Sequence, residues 1–185
     1  MSLQYPDMMV DIETTGTMPD RHAIIQIAAV KFNLAEQTIS PQMFKASLDM
    51  PEKREWDPQT KLWWGKQKRS VFDAIVAECR PWQQVMEEFL EYAGPAGDYR
   101  FWSKPTHFDY VFISSYFKDA DLPQMFSYRD ANDMNSYIRG LYQGDPVPEI
   151  PYLEIDAHDA LNDCIIQIDQ LFKHTTNVKG IQIDA

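Results

Sequence analysis

The ten residues AIIQIAAVKF, at 23–32, constrain the fold more than any other segment. Gln26 and Lys31 alone interrupt their apolar run. A strand that is apolar on both faces must be covered on both, which calls for layers above and below a sheet. Residues 8–13 (MMVDIE) alternate as a short strand, with Asp11 and Glu13 on one face and Val10 and Ile12 on the other. TTGT ends that strand. NLAEQT reads as a hairpin turn into a third strand, 39–48, in which Pro41 marks an edge or a bulge. The first three strands therefore form a meander.

The pattern then turns helical. Asp57 as cap and Pro58 in the first turn predict a helix over DPQTKLWWGKQ, and 69–78 continues the helical pattern. Pro81 opens another, in which Trp82, Val85, Met86, Phe89 and Leu90 recur at helical spacing. A fourth strand is expected at 99–103. A helix follows at 108–117, with Phe108, Val111, Phe112 and Ser115 on one side. A fifth strand is expected at 126–129, then a helix near 132–142. QGDPVPEIPY is a Pro-rich loop of a length that often carries function. The last helix has Leu161, Cys164, Ile165, Ile168, Leu171 and Phe172 as its apolar stripe. This order of elements predicts a single α/β domain with a mixed sheet over 1–185, MSL being a cloning scar and 175–185 a C-terminal tail.

The chain has 185 residues and 44% hydrophobic content, enough for one globular core. No apolar run approaches the roughly 18 residues of a membrane span. MSLQYPDMMV lacks the pattern of a secretory leader. Cys79 and Cys164 sit in helix-like apolar patterns and read as buried free thiols of a cytoplasmic protein. Net charge is −11, which argues against nonspecific electrostatic attraction to nucleic acid. Residues 53–69 go the other way, with six Lys/Arg against two Asp/Glu.

Five side chains carry the chemistry: Asp11 and Glu13 as D-x-E, Asp109 in THFDYVF, and His158 and Asp163 as H-x4-D. Carboxylates at i and i+2 of one strand point the same way, about 7 Å apart. Burying like charges so close is costly without a cation. Oxygen ligands favour Mg²⁺ or Mn²⁺ over Zn²⁺, and two such ions suit phosphodiester hydrolysis. Asp156 as cap of the last helix would place His158 in its first turn, as a base for the attacking water. Trp63 and Trp64 point about 100° apart on a helix, so one packs inward and the other meets solvent or a base. Lys61, Lys66, Lys68 and Arg69 either meet phosphates or are solvated. His22, His107 and His174 read as incidental.

VDIETTG, THFDYVF and HDALND resemble the three motifs of the DEDDh 3′–5′ exonucleases, which include polymerase proofreading subunits, oligoribonuclease and ribonuclease T. WDPQTKLWWGKQKRSVFDA resembles the Trp-Trp helix of the subgroup of exonuclease VIII-like proteins and a mycobacterial-type exoribonuclease. The resemblance implies an RNase H-like fold, a five-stranded mixed sheet flanked by helices. It implies two divalent cations, Mg²⁺ or Mn²⁺, held by Asp11, Glu13, Asp109 and Asp163, with His158 as general base. It implies 5′-mononucleotides released from single-stranded DNA or RNA 3′ ends, with Thr14, Thr15 and Gly16 against the terminal nucleotide. It also implies no membrane partner and allows a homodimer. Two alternatives stand beside it. One is an RNase H-like binding module with a decayed site. The other is a haloacid-dehalogenase-like phosphatase, to which DIETT is loosely similar.

Overall fold

The computed structural model describes residues 3–95 and 97–181. Met1 and Ser2 of the expected scar, and 182–185 of the expected tail, lie outside these residues. The elements in chain order are β1 (Asp7–Thr14), β2 (Ile24–Asn33), β3 (Thr38–Leu48), α1 (Pro58–Trp64), α2 (Arg69–Ala77), β4 (Cys79–Arg80), α3 (Trp82–Ala93), β5 (Arg100–Ser103), α4 (Thr106–Asp119), β6 (Ala131–Asp133), α5 (Met134–Leu141) and α6 (Ala160–Ile181). The α/β architecture expected from the sequence is present. Its sheet is mixed, in the order β4-β3-β2-β1-β5-β6. Among the described residues there are six strands, not five, because Cys79–Arg80 adds a short parallel edge beside β3. Helix α6 also continues through the first part of the expected tail.

The meander forms as its periodicity demands, with β1–β2 and β2–β3 both antiparallel. Pro41 lies where the β2–β3 register slips, between the Met43 and Ile39 pairings. There a missing N–H breaks no regular ladder. Alternation in β1 divides the core. Met8, Val10 and Ile12 face α3 and α4, packing with Val85, Phe89, Phe112 and Tyr116. Met9 faces the other way, with Cys164, Ile168 and Leu171 of α6. Asp11 and Glu13 share the parity of Met9, so both carboxylates emerge on the α6 side.

Three local expectations need correction. The fifth strand is Ala131–Asp133, not 126–129. Phe126 is buried because its ring packs 4.9 Å from that of Phe101, while Ser127 accepts from the Asp130 amide in a turn. In α4 the inward face is Asp109, Phe112, Ile113 and Tyr116, at i, i+3, i+4 and i+7, and Val111 is exposed. Turning Asp109 inward rotates Val111 out. Cys79 is exposed, since α2 ends at Ala77 and the thiol falls on an edge strand; Cys164 is buried. Among the described residues, no helix is long and apolar enough to cross a membrane.

Asp7 fixes the start of β1. It is fully buried and accepts from Arg100 Nε and Nη2 at 2.7 and 2.8 Å, from Trp102 Nε1 at 2.8 Å and from the Leu34 amide at 3.3 Å. This ties β1 to β5 and to the β2–β3 turn. Asp7→Ala strands four donors from three residues and is expected to lower unfolding stability by about 3 kcal/mol in urea titration. Arg21→Ala breaks the exposed Arg21–Glu55 pair and should leave the midpoint nearly unchanged. Equal effects of the two would contradict this assignment.

Candidate active site

Strand β5 pairs with β1 only from Asp7 to Met9, and it ends at Ser103, which pairs with β6 alone. Beyond that point one edge of β1 is open. The amide of Ile12 finds its acceptor in Asp109 Oδ1, at 3.2 Å, from the first turn of α4. Asp109 thus takes a ladder position that a longer β5 would have filled. The gap holds an opening of about 340 Å³, lined by Asp11, Glu13, Asp109, His158 and Asp163 together with Lys104, Pro105, Phe108 and Ile12. All five acid and histidine positions singled out in the sequence meet here. Ligand atoms of Glu13, His158 and Asp163 lie within 4.8 Å of one another.

Helix α6 enters through a bond made in the apolar β2 strand. Gln26 is buried opposite Glu13, and its Oε1 accepts from the Ala160 amide at 2.8 Å. Asp159 then accepts from the amides of Leu161 and Asn162. The cap is therefore Asp159, not Asp156, whose carboxylate pairs with Lys68 instead. His158 accordingly lies before the helix. Its φ is 64°, a left-handed conformation that is strained for a residue with a Cβ. Asp163 Oδ2 accepts the His158 amide at 2.9 Å and holds that turn.

Helix α1 braces the imidazole. Trp64 is buried and donates from Nε1 to the Thr14 carbonyl at 3.0 Å. Trp63 is 39% exposed and meets both the Trp64 ring, at 5.1 Å, and the His158 ring, at 4.8 Å, edge to face. One tryptophan inward and one outward is the division expected from their adjacency. Much of the Thr14–Thr15 backbone is engaged internally: Thr15 donates to Ala23 and accepts from Asp57. Gly16 lies so close to His22 that a Cβ would stand 2.2 Å from the ring. His22 is not incidental; it is buried, and its Nδ1 accepts from the Met18 amide at 2.9 Å. His174 is also buried and bonded to the Tyr142 hydroxyl.

The carboxylates are strained electrostatically. Withdrawal from water raises the pKa of Asp11 well above its ordinary value, and Asp109, Glu13 and Asp163 raise it further. Burial, then Asp163 and Asp109, do the same to Glu13. Burial pushes Asp109 up to about 7 and raises Asp163. Among the described residues, Lys104 is the one Lys or Arg lining the opening. Gln167 donates to Asp11 Oδ1 at 2.7 Å, and its own Oε1 is buried without a donor. Excess negative charge, oxygen ligands and an orphaned acceptor fit hard divalent cations.

A model of the family described as the 3′-5′ exoribonuclease Rv2179c-like domain matches residues 6–173. The chain belongs to this family. That family is of the DEDDh 3′–5′ exonuclease type and implies dependence on a divalent metal. No curated protein sequence matches it. Its fold is similar to that of Escherichia coli exonuclease I. One such structure, with zinc and single-stranded DNA, has a TM-score of 0.73 and 16% identity over 95% of this chain and 41% of the other. Another, with a dT13 oligonucleotide, has a TM-score of 0.74 and 16% identity over 96% and 42%. Exonuclease I of Methylocaldum szegediense has a TM-score of 0.63 and 16% identity over 95% and 40%. The chain spans less than half the length of these proteins, and what it shares with them is the RNase H-like fold. Family membership favours nuclease chemistry over both the phosphatase and the binding-only alternatives.

Three residues of the site escaped the sequence reading. Gln26 was visible as a polar break in an apolar strand, and Gln167 as the residue one turn after Asp163. Lys104 carried no local signal.

The raised carboxyl pKa values set a pH dependence for the metal-free protein. A group whose pKa is raised on folding adds stability that is full below its unfolded value and lost as pH rises through the folded one. For Asp109 that window runs from about 4 to about 7. Asp57, whose acidity is strengthened by the Thr60 amide, acts oppositely but only near pH 4, and His174, whose basicity burial weakens, acts oppositely below about 6.5 as one group against four raised carboxyls. In EDTA the melting temperature should therefore rise as pH falls from 8 to 5.5, and Mg²⁺ should raise it more at pH 8 than at 5.5. A falling profile with no Mg²⁺ effect would contradict this account.

Proposed function

We propose that this protein removes 5′-mononucleotides one at a time from the 3′ end of single-stranded RNA, with single-stranded DNA as a poorer substrate. The observation that carries the reading is the convergence of Asp11, Glu13, Asp109, His158 and Asp163 on one opening, in a chain of an exoribonuclease family. The RNA preference rests on the family description. The solved neighbours that hold DNA, at 16% identity, support the fold alone.

Asp11, Glu13, Asp109 and Asp163 would hold two divalent ions, Mg²⁺ or Mn²⁺. Bound there, such ions neutralise charge at the scissile phosphate and make water a better nucleophile near neutral pH. The protein's own groups supply the rest. His158 takes the proton of the attacking water, with its ring braced by Trp63 and its amide tied to Asp163. Asp11 is oriented by Gln167, and Asp109 by the Ile12 amide. Beyond Trp63 lies a recess of about 680 Å³ lined by Thr17, Met18, Asp57, Gln59 and Thr60. It adjoins Gly16 through His22, and the terminal nucleoside would sit there with its base against Trp63. The backbone at Thr14, Thr15 and Gly16 would border its sugar. Cytoplasmic placement and a homodimer belong to the same proposal and rest on composition and resemblance alone.

A 5′-labelled RNA 12-mer in Mg²⁺ should give a descending ladder; early loss of the 5′ nucleotide would overturn the direction. His158→Ala should cut turnover by roughly 10²–10⁴-fold with calorimetric Mg²⁺ or Mn²⁺ binding largely kept. Asp11→Ala should lose both. Wild-type activity in Asp11→Ala would overturn the catalytic reading.

A further inference from the structure

The Pro-rich segment 143–155 borders the site without entering it. It forms one wall of a groove of about 730 Å³, the other walls being α5 and α6. Lys104 lines both this groove and the carboxylate opening, so the two share a rim. Its Nζ lies 5.6 Å from the centre of the Tyr152 ring and 3.5 Å from the Tyr152 hydroxyl. Tyr152 is 60% exposed. The wall that carries it is fixed, because Gln170 Nε2 and Lys173 Nζ both donate to the Pro151 carbonyl at 3.2 Å.

A phosphodiester held at the carboxylates has a nucleoside on each side. The recess beside Trp63 is one way out of the opening, and Lys104 stands at the other. We infer that the groove binds the one or two nucleotides immediately 5′ of the scissile phosphate, with Lys104 against a phosphate and Tyr152 stacked on a base. The inference rests on the proposed nuclease reading and names the part of the strand that reading leaves without partners. A cation is in place for it: among the described residues, Lys104 is the one Lys or Arg lining either opening, and a lysine contact to a phosphate fixes the strand's register. Size favours it too, since the volume falls within the range of sites that hold one organic ligand. Stacking on a tyrosine tolerates any base, as an enzyme that shortens strands of any sequence requires.

Two substrates test this. A pentanucleotide fills the groove. A p-nitrophenyl ester of a nucleoside 5′-monophosphate carries the terminal nucleoside and the reacting phosphate but no upstream nucleotide. In Tyr152→Ala, the KM for the pentanucleotide should rise about tenfold, and the ratio of pentanucleotide to ester kcat/KM should fall by the same factor. Tyr152→Phe, which keeps the ring, should restore the ratio. Lys104→Met should lower it as well and flatten its salt dependence. An unchanged ratio in Tyr152→Ala overturns the groove assignment alone, because ester hydrolysis reports that the catalytic site works. If the wild type hydrolyses neither substrate, the nuclease reading fails and this inference falls with it.

Discussion

The Ile12 amide donates to a carboxylate and not to a strand, and most of the site follows from that substitution. Because β5 parts from β1 after Met9, the sheet opens beside Asp11 and Glu13. Asp109 closes the exposed edge from α4, on the opposite layer. Helix α6 brings Asp163 from the other layer, tied down by Gln26 at its first turn. Four acids from three elements are thus gathered by ordinary backbone hydrogen bonding. Burial of that arrangement raises the pKa of all four, and repulsion among the carboxylates raises Asp11 and Glu13 further.

The same geometry bears on how an acidic protein would act on the polyanion proposed as its substrate. The basic segment at 53–69 is not a free cationic face. Lys53 and Arg54 both pair with Asp119, Lys68 with Asp156, and Arg69 with Asp73. Arg54 is buried and also holds the Pro19 and His22 carbonyls, and so braces the turn after β1. Attraction for phosphate would then come from cations proposed at the opening and from isolated residues such as Lys104, not from long-range steering.

The strands and helices were legible where periodicity was strong. The apolar β2, the alternating β1 and the Asp57–Pro58 cap all form where their residue types require. Motif order placed the five site residues. What stayed hidden depends on tertiary contact. Asp156 and Asp159 are equally good caps by composition, and only the bond from Gln26 to Ala160 decides between them. His158 falls outside the helix for that reason. Phe126 has a strand's hydrophobicity in sequence because it is buried against Phe101. His22 carries no motif, and its role follows from how closely the Gly16 turn approaches it.

One opening between β1, α4 and α6 would cage hard cations. Crystals soaked in Mn²⁺ and measured at the manganese absorption edge test it most directly. The account predicts two anomalous peaks about 4 Å apart, both within bonding distance of Asp11 and between them touching Glu13, Asp109 and Asp163. Peaks elsewhere on the molecule, or none at saturating Mn²⁺, would contradict it.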